Sequence, residues 1–170
     1  MNVSTSLLDS YVGRGIEEIC SCGYTDKKLN HCAHFVSHVL NLQFGVTCGK
    51  LTGRKHGSGV NVRVQEVFSA CPDARELLEC SNDLPAGLLV ISDSKNFVMR
   101  GQHHQIKNVP RKHIGIHLAG TVWHYSNTRD EVVCQEAYAF IHHYPRTAKT
   151  NALWWAEFPT GGLPRSFGME

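Results

Sequence analysis

His113-Ile114-Gly115-Ile116-His117-Leu118-Ala119-Gly120-Thr121-Val122-Trp123-His124-Tyr125-Ser126 holds two six-residue runs around the pair Ala119-Gly120. Strand-forming side chains on both sides of a two-residue, glycine-containing link predict a β-hairpin. The turn fixes the register: Leu118 faces Thr121, Ile116 faces Trp123, Gly115 faces His124 and His113 faces Ser126. Alternation then puts His113, Gly115 and His117 on one face with Val122, His124 and Ser126. His113 and His124 become diagonal neighbours, ~7–8 Å apart at the backbone. Gly115, opposite His124, leaves room for two imidazoles to approach.

Working outward, Cys32, Phe35, Val36, Val39 and Leu40 recur at helical spacing after Asn30, an N-cap residue type, and predict an amphipathic helix over 31–42. Its other face would carry His34, Ser37, His38 and Asn41 to solvent. Between Cys48 and Asn61, four glycines alternate with Lys50, Arg54, Lys55 and His56, the composition of a mobile basic loop. A second helix is expected over 61–70, a buried strand over Gly87–Ile91, a helix over Gln135–Tyr144 and a last strand over Ala152–Phe158. Helices followed by mostly antiparallel strands make an α+β fold.

Composition bounds the rest. The 170 residues fit a single domain, 1–170, with one sizeable core. Hydrophobic content of 42%, 19% charged residues and a mean hydropathy of −0.24 fit a globular chain. A net charge of +2 with no run of like charges gives no footprint for nucleic acid, and no apolar run is long enough to span a membrane. The first residues lack the basic and apolar regions of a secretory signal, so synthesis in the cytoplasm is expected. Seven cysteines at irregular spacing suit reduced thiols, while eleven histidines require a metal site to be weighed against an acid–base site.

Cys32 falls in the first turn of its helix, where unpaired N–H groups and the helix dipole favour a thiolate and could hold an oxyanion. Such a nucleophile needs a base, which His113 is placed to supply, and His124 could orient His113 and fix its tautomer.

These residues resemble a family. Asn30-His31-Cys32-Ala33-His34-Phe35-Val36, Leu84-Pro85-Ala86-Gly87-Leu88-Leu89-Val90, His113 to Leu118 and Val122-Trp123-His124-Tyr125-Ser126 are similar, in this order, to the motifs of NlpC-type papain-like cell-wall hydrolases. That superfamily includes CHAP amidases and the peptidoglycan amidase effectors of type VI secretion. The resemblance covers roughly residues 20 to 130. It implies a papain-like core, with the nucleophile at a helix N-terminus packed on an antiparallel sheet. Cys32 would be the nucleophile, His113 the base and His124 the orienting residue, with Tyr24 and Ala33 near the oxyanion. The implied reaction is hydrolysis of an amide in peptidoglycan stem peptides, without metal or cofactor. Export by a dedicated machine or release by lysis would bring such an enzyme to the wall, and a type VI effector would have an immunity protein as partner. Two departures concern subfamily and substrate. Asn30-His31-Cys32-Ala33-His34 replaces the usual Asp-Cys-Ser-Gly, and Pro85-Ala86-Gly87-Leu88 replaces Pro-Gly-Asp.

Two other readings compete. His34 and His38 stand i, i+4 on one helix with His31 a turn earlier, a spacing that can share zinc, although Cys20-Ser21-Cys22 is too tight for the usual paired motif. The alternative function is therefore a histidine-rich metal-binding protein, or a non-catalytic binding module on the same fold.

Overall fold

The computed structural model describes residues 3–54, 58–78, 83–142 and 150–160. Among the described residues, six α-helices and eight strands follow in chain order: α1 (Thr5–Asp9), α2 (Ile16–Ile19), α3 (Cys32–Leu40), α4 (Cys48–Leu51), α5 (Val64–Ser69), β1 (Ala74–Leu77), β2 (Gly87–Asp93), β3 (Phe97–Arg100), β4 (His103–Ile106), β5 (His113–Leu118), β6 (Thr121–Ser126), β7 (Glu131–Glu136), α6 (Ala137–Ile141) and β8 (Asn151–Ala156). Among the described residues, no helix is long and apolar enough to cross a membrane. The architecture is mixed α+β.

Strands β1, β8, β2, β5, β6 and β7 form one sheet in that order, and every neighbouring pair is antiparallel. The hairpin has the expected register, with Leu118 opposite Thr121 and Ile116 opposite Trp123. Its turn places Ala119 at φ 50° and Gly120 at φ 80°, the left-handed pair that matches strand twist in a two-residue link. A Cβ on Gly115 would lie 2.6 Å from Val122 Cγ1 and 3.1 Å from His124 Cβ, so the two strands are close enough here to need glycine.

Alternation divides the core between the two sheet faces. Leu88, Val90, Ile114, Ile116, Trp123 and Tyr125 pack with α3 and α5, whereas Leu89, Ile91, Val122, Leu153 and Trp155 pack with Phe140 of α6. Tyr125 fastens the N-terminal segment: its hydroxyl accepts from Ile16 N–H at 3.0 Å and donates to Asp130 at 2.9 Å.

Several expectations need correction. Helix α3 is two residues shorter at its C-terminal end than expected, because Asn41 adopts a left-handed φ of 52° and closes it. Its polar face is not solvated: His34 and Ser37 are fully buried and His38 half-buried, as the N-terminal segment and α4 cover them. The glycine-rich stretch opens with helix α4, capped by Thr47 Oγ1 accepting from Lys50 N–H at 3.2 Å. Lys55 and His56 in that stretch lie outside the described residues. The second helix is confined to Val64–Ser69. Gln135 and Glu136 belong to strand β7, and the helix there starts at Ala137, because pairing with β6 extends as far as Thr121 opposite Glu136. His143, Tyr144 and Pro145 fall outside the described residues.

Candidate functional site

Cys32 is the first residue of α3 and is fully buried. Asn30 holds it from two directions. Its Oδ1 accepts from Cys32 N–H at 3.0 Å, and its Nδ2 donates to the Lys112 carbonyl at 3.4 Å, tying the helix start to the segment entering β5. The Cys32 N–H expected for an oxyanion is thus engaged by Asn30. Burial pushes the Cys32 thiol up to about 11, outweighing the nearby backbone N–H groups and the Lys112 charge that favour the thiolate. The resting thiol is neutral, contrary to the expectation from the helix dipole alone.

On the hairpin, His113 and His124 meet as the register requires. His113 Nε2 and His124 Nδ1 are 2.9 Å apart, and the rings cross edge to face at 4.8 Å between centroids. Both rings rest on Phe140, at 5.5 and 5.2 Å, and both histidines are buried. Since Nε2 of His113 is engaged with His124, proton exchange between His113 and a sulfur would run through Nδ1. The histidine pair lies on the Phe140 face of the sheet and α3 packs on the Ile114 face. Cys32, in the core on the α3 face, and the histidine pair, against Phe140, thus approach β5 from opposite faces of the sheet.

Tyr24 and Ala33 were the expected oxyanion residues. Ala33 is buried beside Cys32 in the first turn of α3. Tyr24 instead sets its ring edge-on against His31 and His34, with centroids 5.7 and 5.5 Å away.

A cavity of about 230 Å³ opens at Cys32, lined also by Asn30, Arg63, Pro110, Arg111 and Lys112. Three of its eleven lining residues, Arg63, Arg111 and Lys112, are cationic. Arg111 holds a left-handed φ of 60°, a conformation that non-glycine residues adopt at a cost and that concentrates at binding sites. Its carbonyl is anchored by Ser92 Oγ at 2.9 Å. Lys112 donates to the Val109 carbonyl at 2.6 Å, and partial burial lowers its affinity for a proton. Sequence reading missed Asn30 as a link to β5 and missed the basic rim. Neither Arg63 nor Arg111 lies in a motif, and only the fold brings them to Cys32.

A second cluster lies on the polar face of α3. Cys20, His34, His38 and Cys48 each offer one ligand atom, all within 4.8 Å of one another. Burial lowers the proton affinity of both histidines, of His34 to about 3. The same cause raises the thiols of Cys20 and Cys48.

Comparison with protein-family models, with curated proteins and with solved structures finds no match to this chain.

Proposed function

We propose that the protein is a cysteine-dependent amide hydrolase acting on peptidoglycan stem peptides. The observation that carries this reading is the His113 Nε2–His124 Nδ1 contact of 2.9 Å between β5 and β6, the two strands on which the helix beginning at Cys32 packs. For this reaction Cys32 and His113 must meet around the N-terminal end of β5, where the Cys32 proton passes to His113 Nδ1 as Sγ attacks the amide carbonyl. The C–N bond breaks when His113 returns the proton to the leaving amine, which departs and leaves a thioester on Cys32. His113 then deprotonates a water that attacks the thioester, giving a carboxylic acid and the free thiol. His124 keeps the His113 ring oriented and stabilises its cationic form. The cationic rim of Arg63, Arg111 and Lys112 suits stem peptides, whose side chains and termini carry carboxylates.

Digestion of purified sacculi with fragments identified by mass spectrometry tests the reading. Cys32→Ala should abolish fragment release with its thermal unfolding unchanged, and His113→Ala should lose nearly all turnover. His124→Gln should retain more than His124→Ala, because an amide still hydrogen-bonds the ring. A Cys32→Ala variant that digests sacculi like the wild type refutes the mechanism. Export of the wild type to the periplasm of a Gram-negative host should cause lysis that Cys32→Ala prevents. Lysis or growth arrest only from the cytosolic form would move the substrate to an intracellular protein.

A further inference from the structure

Cys20, His34, His38 and Cys48 come from three separate parts of the chain: the end of α2, two turns of α3 and the start of α4. Two thiols and two imidazoles are the donor set of a closed tetrahedral zinc site, with Zn–S about 2.3 Å and Zn–N about 2.0–2.1 Å. Those bond lengths set the edges of the tetrahedron at about 3.3–3.8 Å, the longest between the sulfurs. Here Cys20 Sγ and Cys48 Sγ stand 3.7 Å apart, and no pair of the four ligand atoms exceeds 4.8 Å.

The surroundings define the ligand state of each donor. His31 Nε2 lies 2.9 Å from the Asp26 carbonyl, which can only accept, so that nitrogen carries the proton. In the neutral ring His31 Nδ1 is then an acceptor, and its 3.3 Å partner, His34 Nδ1, must donate. His34 Nε2 is left as a bare lone pair, fully buried and without a hydrogen-bond partner among the described residues, and His38 Nε2 is likewise buried without one. Two orphaned imidazole nitrogens beside two thiols are costly in an apolar interior unless an electrophile joins them. A histidine fixed by a hydrogen bond from its far nitrogen is how metal-binding imidazoles are oriented. The sulfurs also have N–H donors suited to thiolates, from Cys22 to Cys20 Sγ at 3.4 Å and from Val60 to Cys48 Sγ at 3.3 Å. Gly59 permits the second contact, since a Cβ there would lie 2.5 Å from Cys48 Sγ.

We infer that Cys20, His34, His38 and Cys48 bind one zinc ion, a structural site that clamps the N-terminal segment and α4 to the nucleophile helix. Binding displaces the two thiol protons to solvent and involves no change of oxidation state. All four positions are filled by protein, so the ion has no open coordination place for substrate.

The full-length chain, refolded under reducing conditions with zinc sulfate and desalted, should retain one equivalent of zinc by elemental analysis. Chelation should lower its thermal unfolding temperature, and zinc should restore it. Replacing zinc with Co²⁺ should give the visible bands and thiolate charge-transfer absorption of a tetrahedral S₂N₂ site, a readout that needs no variant to fold. Cys48→Ser and His34→Gln should lose the metal, whereas Cys134→Ser and Cys32→Ala should retain it. Zinc retention by Cys32→Ala also separates this inference from the hydrolase reading, which can fail without affecting it. Absence of both bound zinc and the Co²⁺ spectrum in the wild-type chain would overturn the site, as would full zinc retention by folded Cys48→Ser and His34→Gln.

Discussion

Asn30 is the residue on which the geometry of the proposed hydrolase turns. One side chain accepts from the N–H of Cys32 and donates to the carbonyl of Lys112, so it sets the distance between the helix start and the lead into β5. Asn30→Ala should cost about 1 kcal/mol of stability, the usual net loss for a hydrogen-bonding side chain. Turnover should fall further than that loss explains, because Cys32 is no longer held against β5. Asn30→Asp keeps the acceptor and should recover most of the stability while losing the link to Lys112. Urea unfolding and sacculus digestion on the three proteins check this, and unchanged turnover in a folded Asn30→Ala would remove Asn30 from the site. At this scale the sequence was partly legible. The meeting of His113 and His124 could be read from spacing, since a two-residue turn leaves one register, whereas the placing of Cys32 on the other face of the sheet could not. The fate of His34 and His38 could not, because their covering partners, Cys20 and Cys48, lie outside the helix and far apart in the chain.

Among the elements, the hairpin carries a pH dependence of its own. His117 Nδ1 donates to the Pro85 carbonyl at 3.1 Å, and its Nε2 accepts from Gly120 N–H at 3.2 Å, so the neutral ring joins the turn to the entry of β2. Burial lowers its affinity for protons below the ordinary value of 6.5. The unfolded chain therefore binds a proton first as pH falls. The stability from neutral His117 is fully present above pH 6.5, and it is lost as pH drops from there towards the lower folded value. Urea midpoints measured between pH 7.5 and 5 should fall more steeply in the wild type than in His117→Gln, whose amide does not titrate; identical slopes would exclude this contribution. The hairpin was readable because alternation and turn chemistry agree. Strand β7 was not, because Val132, Val133 and Cys134 interrupt its alternation and Gln135-Glu136 suits a helix equally well. Strand β1 is four residues, with two exposed polar side chains at its centre, and pairing with Trp154 and Trp155 of β8 defines it.

For the whole molecule, the order β1-β8-β2-β5-β6-β7 places the last described strand between two early ones. Leu89 pairs with Trp155 and Val90 with Trp154, and Trp155 Nε1 donates to the Pro85 carbonyl at 3.0 Å. A chain ending at residue 150 lacks β8, which exposes one edge of β2 and leaves β1 without its partner. Such a chain should show no cooperative urea transition and should aggregate on purification, an edge strand being a template for pairing with other chains. A soluble truncation with native-like unfolding would show that β8 is dispensable. The same strand order governs how the protein is made. β2 is complete at Asp93, but its neighbour starts only at Asn151, so at 5–20 residues per second the ribosome leaves that edge open for roughly three to twelve seconds. The nascent chain thus passes through an interval in which both candidate catalytic histidines have been synthesised and the sheet that supports them is unfinished, making this the stage of synthesis at which a chaperone would be most needed.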